Sequence, residues 1–203
     1  MADTNTKIVR EFLEANNFSV ITNRKFQLQK AEPAGRYSID LMAINMQHTE
    51  PAAPLPMRLQ ADHIRHMPNI IVDVKGWHSG RLSPSVVSSS PELFNFVSPN
   101  ALEFARGVFH GLSFKSILVI SEASQTEVLW HKTEDMLRER GVDHVLEFPT
   151  ILNYLITHVE VNLNYVESET LQLLRLLKRY GLVKGLQLEL PFRAKASDPE
   201  HEE

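Results

Sequence analysis

The stretch NIIVDVKGWHSG, residues 69 to 80, sets an acid and a lysine two positions apart inside an otherwise apolar run. Ile70, Ile71, Val72 and Val74 read as a buried β-strand, because β-branched side chains suit a pleated surface and alternate between its faces. With a period of two, Asp73 and Lys75 share one face. Burying charges without partners costs on the order of several kcal/mol. These two must therefore neutralise one another, reach solvent, or form a site.

The preceding chain supplies a similar puzzle. Residues 5 to 16, NTKIVREFLEAN, carry Ile8, Val9, Phe12 and Leu13 at helical spacing, with Asn16 and Asn17 placed to end the helix. At 100° per residue Glu11 lies on the flank of that apolar stripe, whereas Glu14 points toward solvent. FSVITNRKFQLQKA follows as strand material, and AEPAGR is turn chemistry. The next strand, RYSIDLMAIN, holds a lone carboxylate, Asp40, on the face shared by Met42 and Ile44. Residues 46–68 between these strands are polar and carry prolines 51, 54 and 56, which predicts a surface insertion without regular structure. Residues 79–98, rich in serine and proline, predict a second loop long enough to act as a lid or contact arm.

Ser98 and Pro99 form a helix start, cap then first-turn proline, leading into NALEFARGVFHGL. Its polar side holds Glu103, Arg106 and His110. KSILVISEAS is an apolar strand, TEDMLRERG a short helix closed by Gly141, and VDHVLEF another strand. Strands now alternate with helices, as parallel sheets require. TILNYLITHV and ESETLQLLRLLKRYG are further helices, and the leucines of the second leave more apolar surface than a solvated helix needs. It packs on the core or on another subunit.

Composition narrows the chemistry. With no cysteine among 203 residues, disulfides, thiolate metal sites and cysteine nucleophiles are excluded, and any metal must use oxygen or imidazole ligands. The N-terminus lacks the apolar core of a signal peptide and no run approaches a membrane span, which predicts a soluble, cytoplasmic protein. The formal charge of −4 does not announce a nucleic-acid binder. Yet Asp198, Glu200, Glu202 and Glu203 account for all of it, so residues 1–197 balance and a local basic face is compatible with the total.

Read in order, Glu11 on a helix, Asp40 on a strand and Asp73-Val74-Lys75 on the next, followed by helix, strand, helix and strand, resemble the PD-(D/E)xK nuclease superfamily. The resemblance covers roughly residues 5–148. It implies an α/β, restriction-endonuclease-like core, a small mixed sheet flanked by helices, here with additional C-terminal helices. Residues 1–160 would form that domain, with insertions near 46–68 and 79–98, residues 161–190 a helical extension, and residues 191–203 an acidic disordered tail. It further implies a Mg²⁺- or Mn²⁺-dependent endonuclease acting on DNA, with Asp40 and Asp73 as metal ligands, Lys75 as the catalytic lysine and Glu11 as an auxiliary acid at the metal. Ile39 stands where the motif has proline, and Asp73 where glutamate is commoner.

The residue types suit that chemistry. Phosphodiester cleavage needs a nucleophilic water and neutralisation of charge on the phosphate, which hard cations held by carboxylates provide. A lysine two residues beyond one of those carboxylates projects from the same strand face. His78, just past Lys75, and Arg106 with His110 on one helix face are candidate substrate contacts. Trp77 is placed either to stack on a base or to anchor its loop. Asp62, His63 and His66 form a second, imidazole-based metal candidate that competes with plain surface residues.

Other readings stand beside this one. A nuclease-fold protein that has lost cleavage would serve as a binding or assembly subunit of a DNA-processing or defence complex. A small α/β interaction domain would carry the motif by accident. Restriction or antiphage defence, junction resolution, repair and mobile-element processing all fit a nuclease core of this size, as does either a homodimer or a larger complex.

Overall fold

The computed structural model describes residues 4–22, 39–76 and 80–183. Helix α1, Thr4–Ala15, buries Val9, Phe12 and Leu13, the stripe that sequence periodicity marks. Its end is built by the two asparagines. Asn16 Nδ2 donates to the Phe12 carbonyl at 2.8 Å, and Asn17 adopts a left-handed φ of 65° that an asparagine tolerates.

Strands β1 (Phe18–Thr22), β2 (Leu41–Asn45) and β3 (Asn69–Lys75) form an antiparallel meander, with Phe18 opposite Asn45 and Leu41 opposite Val72. The chain then crosses through α2 (Pro84–Ser89), a 3₁₀ segment (Pro91–Val97) and α3 (Pro99–Val108) to β4 (Lys115–Ile120), parallel to β3. Helix α4 (Glu127–Glu139) leads to β5 (His144–Glu147), parallel to β4. Sheet order is β1-β2-β3-β4-β5, so strands adjacent in the chain are adjacent in the sheet. The result is an α/β fold around a five-stranded mixed sheet. Helices α5 (Phe148–His158) and α6 (Glu169–Arg179) follow.

Alternation along the strands sorts the core into two layers. Val72, Val74, Ile70, Leu41 and Ala43 face α1 and α5, whereas Ile71, Met42, Leu118, Ile120 and Val145 face α2, the 3₁₀ segment, α3 and α4. Ser98 caps α3 as its sequence predicts, its Oγ accepting from the Ala101 N–H. Helix α4 begins six residues, nearly two turns, before the expected start at Thr133, and Gly141, at φ 89°, ends it. No helix among the described residues is long and apolar enough to cross a membrane.

Two expectations fail here for one reason. Residues 46–56 do run along the surface without regular structure, but residues 57–67 are no surface insertion, since Met57, Leu59, Ile64 and Met67 are all buried in the core. Arg58 bridges to Val145 in parallel sense, so this segment lies along the outer edge of β5. The His144 Nδ1 atom donates to the Pro56 carbonyl at 2.9 Å, and burial holds that imidazole below its usual pKa. Residues 80–97 are likewise no lid. Leu82, Val87, Leu93 and Phe96 are buried and form much of the layer over the Asp73 face. In both segments isolated large apolar side chains among prolines and serines fill the core without any regular period. The predicted tail, residues 191–203, lies outside the described residues.

Candidate functional site

Alternation places Asp73 and Lys75 of β3 on the α2–α4 side of the sheet, near its C-terminal end. The antiparallel register carries Asp40, one step beyond the Leu41–Val72 pair, opposite Asp73. There the ladder is completed by a side chain, because Asp40 Oδ2 accepts the Val74 N–H at 2.9 Å. Asp40 is thereby fixed, and its own N–H donates to the Val72 carbonyl.

Asp73 is 1% exposed. Neither of its oxygens accepts a well-aligned hydrogen bond among the described residues, and the Lys75 Nζ that lies 2.7 Å from Oδ2 is an ion contact. Burial pushes the Asp73 carboxyl up to about 7; Lys75 opposes the rise and the neighbouring Asp40 carboxylate adds to it. Lys75 keeps 18% of its side chain exposed and Asp40 is half-buried, so the constellation opens to solvent beside both. Two residues of β3 and one just before β2 are thus brought into one cluster.

Glu11 does not join them. Helix α1 packs against Val72 and Val74 on the opposite side of the sheet, and the charges acting on Asp73 are Lys75 and Asp40. No group of three carboxylate or imidazole side chains placed to hold a metal ion occurs among the described residues. The α1 residue at this end of β3 is Asn5, whose amide sits against Gly76. A Cβ added at Gly76 would collide with Asn5 Nδ2 and fall 2.6 Å from its Cγ. Gly76→Ala should therefore cost about 1–3 kcal/mol by overpacking. That cost should shrink in an Asn5→Ala background, as thermal denaturation of the four proteins of a double-mutant cycle would measure. Equal costs in both backgrounds would remove Asn5 from the explanation.

Arg106 and His110 lie at the other end of the sheet. Arg106 is in the last turn of α3, and His110 follows the helix with φ 51° in the turn that delivers the chain to Lys115, at the start of β4. Lys75, in contrast, pairs with Ile120 at the end of β4. Five strand steps of roughly 3.3 Å separate the two levels. His78 and Trp77 lie outside the described residues. The histidines of ADHIRH are used locally: His63 Nδ1 accepts from the Gln60 N–H, and His66 Nδ1 lies 2.9 Å from the Thr49 carbonyl.

Sequence reasoning passed over Glu147, a buried acid at the end of β5 level with Ile120 and Lys75. The signal was the same lone acid on an apolar strand. Here it is answered structurally, by the Arg58 guanidinium at 2.8 Å and the Ala123 N–H. Beside it opens a shallow cleft of about 330 Å³, lined by Gly80, Arg81, Ser121, Glu122 and the first turns of α5. The C-terminal ends of parallel strands are where open α/β sheets place ligands. Comparison of the chain with protein-family models, curated proteins and solved structures returns no match.

Proposed function

We propose that this chain is a divalent-metal-dependent nuclease of the PD-(D/E)xK kind, hydrolysing DNA phosphodiester bonds. The observation that carries the reading is the buried Asp73, without aligned hydrogen bonds, facing Asp40 and touching Lys75. A buried carboxyl held beside a second carboxylate favours a cation between them, and two hard oxygen donors from neighbouring chain segments suit Mg²⁺ or Mn²⁺. Asp40 and Asp73 would hold the ion, which would supply charge neutralisation at the phosphate. The order of a helix, three antiparallel strands, a helical crossover and a parallel strand also supports a restriction-endonuclease-like core.

The protein's own groups then have defined tasks. The Val74 N–H orients Asp40, and the sheet register keeps it against Asp73. The Lys75 ammonium, part exposed, is positioned to orient an attacking water and to offset charge gathering on a phosphate oxygen. Burial of Asp73 keeps bulk water from that carboxyl and strengthens each interaction it makes.

The test is incubation of purified protein with circular and branched DNA in Mg²⁺ or Mn²⁺, with and without chelator. Nicking or resolution that stops in chelator is the expected outcome. A second reading, a nuclease-fold assembly subunit that binds without cutting, draws support from the 1% exposure of Asp73. Binding without cleavage on every substrate would select it, and absence of both would overturn the two together.

A further inference from the structure

Helix α6 is apolar on two opposite sides. Leu171 and Leu174 pack inward against the α1 and α5 layer, and Lys178 Nζ donates to the Ile156, Thr157 and Val159 carbonyls at the end of α5. Half a turn away lie Glu169, Leu173, Leu176 and Tyr180. All four are exposed, Leu173 at 57% and Tyr180 at 71%. Val166 before the helix and Leu182 after it are also exposed, at 79% and 72%. An exposed row of large apolar residues on an otherwise docked helix is an interaction surface rather than scatter.

The spacing of the stripe identifies its occupant. Its steps are four, three and four residues, which read the same in either direction. Two copies of α6 packed antiparallel about a two-fold axis between Leu174 and Arg175 would set Leu173 against Leu176 of the other copy, twice. The same axis would set Glu169 beside Tyr180 and Arg179. Glu167 and Glu169 lie at the helix start and Arg179 at its end, so antiparallel pairing joins opposite charges whereas parallel pairing would stack like ones. Self-complementarity of this kind is what an isologous interface requires. We infer that α6 is the homodimer interface of this protein, paired antiparallel through Leu173 and Leu176.

The experiment is sedimentation equilibrium of the full chain at about 1–50 µM. Wild type is expected to be a dimer, and Leu173→Glu combined with Leu176→Glu is expected to raise the dimer dissociation constant about 100-fold or more with an unchanged circular dichroism spectrum. Glu169→Arg should weaken the dimer, and adding Arg179→Glu should restore it. A wild type that is monomeric throughout the range, whether residues 184–203 or another protein covers the stripe, overturns the inference. So does a dimer that ignores the two glutamates. A double charge reversal that fails to recover overturns the antiparallel register.

Discussion

On the proposed nuclease reading, replacing Lys75 by alanine is expected to slow metal-dependent DNA cleavage by roughly 10²–10⁴-fold while leaving the protein folded. Both halves of that expectation come from the same contact. The ammonium is the cation beside Asp73, so on the proposed reading its loss removes the group that would orient water and balance phosphate charge. The fold survives because Asp73, deprived of the attraction that lowers its pKa, takes up a proton instead of remaining a buried unpaired anion. The residual activity should therefore shift to higher pH. Cleavage rates across a pH series, with melting temperatures alongside, check this. Full activity in Lys75→Ala would remove the lysine from the chemistry, and a collapsed melting temperature would show that the ion pair is structural.

Asp73→Asn is expected to abolish cleavage and, in chelator, to make the protein more stable at about pH 8. Burial first, then Asp40, raise the Asp73 carboxyl from 3.8 to about 7 against the pull of Lys75, so between those values the folded state binds more protons than the unfolded chain. Stability then falls as pH rises through that window. The contribution is fully present below about 3.8 and fully lost above about 7, and amounts to roughly 4 kcal/mol. Asparagine is neutral throughout, so the variant should lack the decline and exceed wild type above neutrality. Urea denaturation at several pH values in chelator measures it. A wild type whose stability is flat from about pH 4 to 8, or an asparagine variant less stable at about pH 8, would mean that the carboxylate is well compensated where it sits. Added Mg²⁺ should stabilise wild type at high pH and leave the variant unmoved.

How much of this was legible in the chain depends on how local each determinant is. The α1 stripe, its asparagine end, the Ser98–Pro99 cap and the alternation that puts Asp73 and Lys75 together are all set within a few residues. Asp40 was also readable, because a lone acid on an apolar strand demands a partner wherever the strand lies. Glu11 was not placed correctly by the same logic, since periodicity identifies the buried stripe of a helix but not which side of the sheet receives it. Arg106 and His110 were misplaced by topology: a crossover helix runs down the sheet, so its last turn lies far from strand C-termini. Met57, Leu59, Ile64 and Met67 were hidden because prolines signal irregular backbone, and irregular backbone can still be core.

That irregular segment has one more effect. A terminal strand such as β5 ordinarily offers a row of unpaired amides and carbonyls to any extended chain that drifts by, the usual start of runaway association between sheets. Here the Val145 N–H donates to the Met57 carbonyl at 2.7 Å and the Leu59 N–H donates back to Val145 at 2.9 Å, so the row is already occupied. The occupant cannot pass the template on. Pro54 and Pro56 have no N–H to offer, and the chain turns into a 3₁₀ segment at Ala61. The prolines that disguise this stretch as a loop make it a stopper, closing that margin of the sheet against polymerisation.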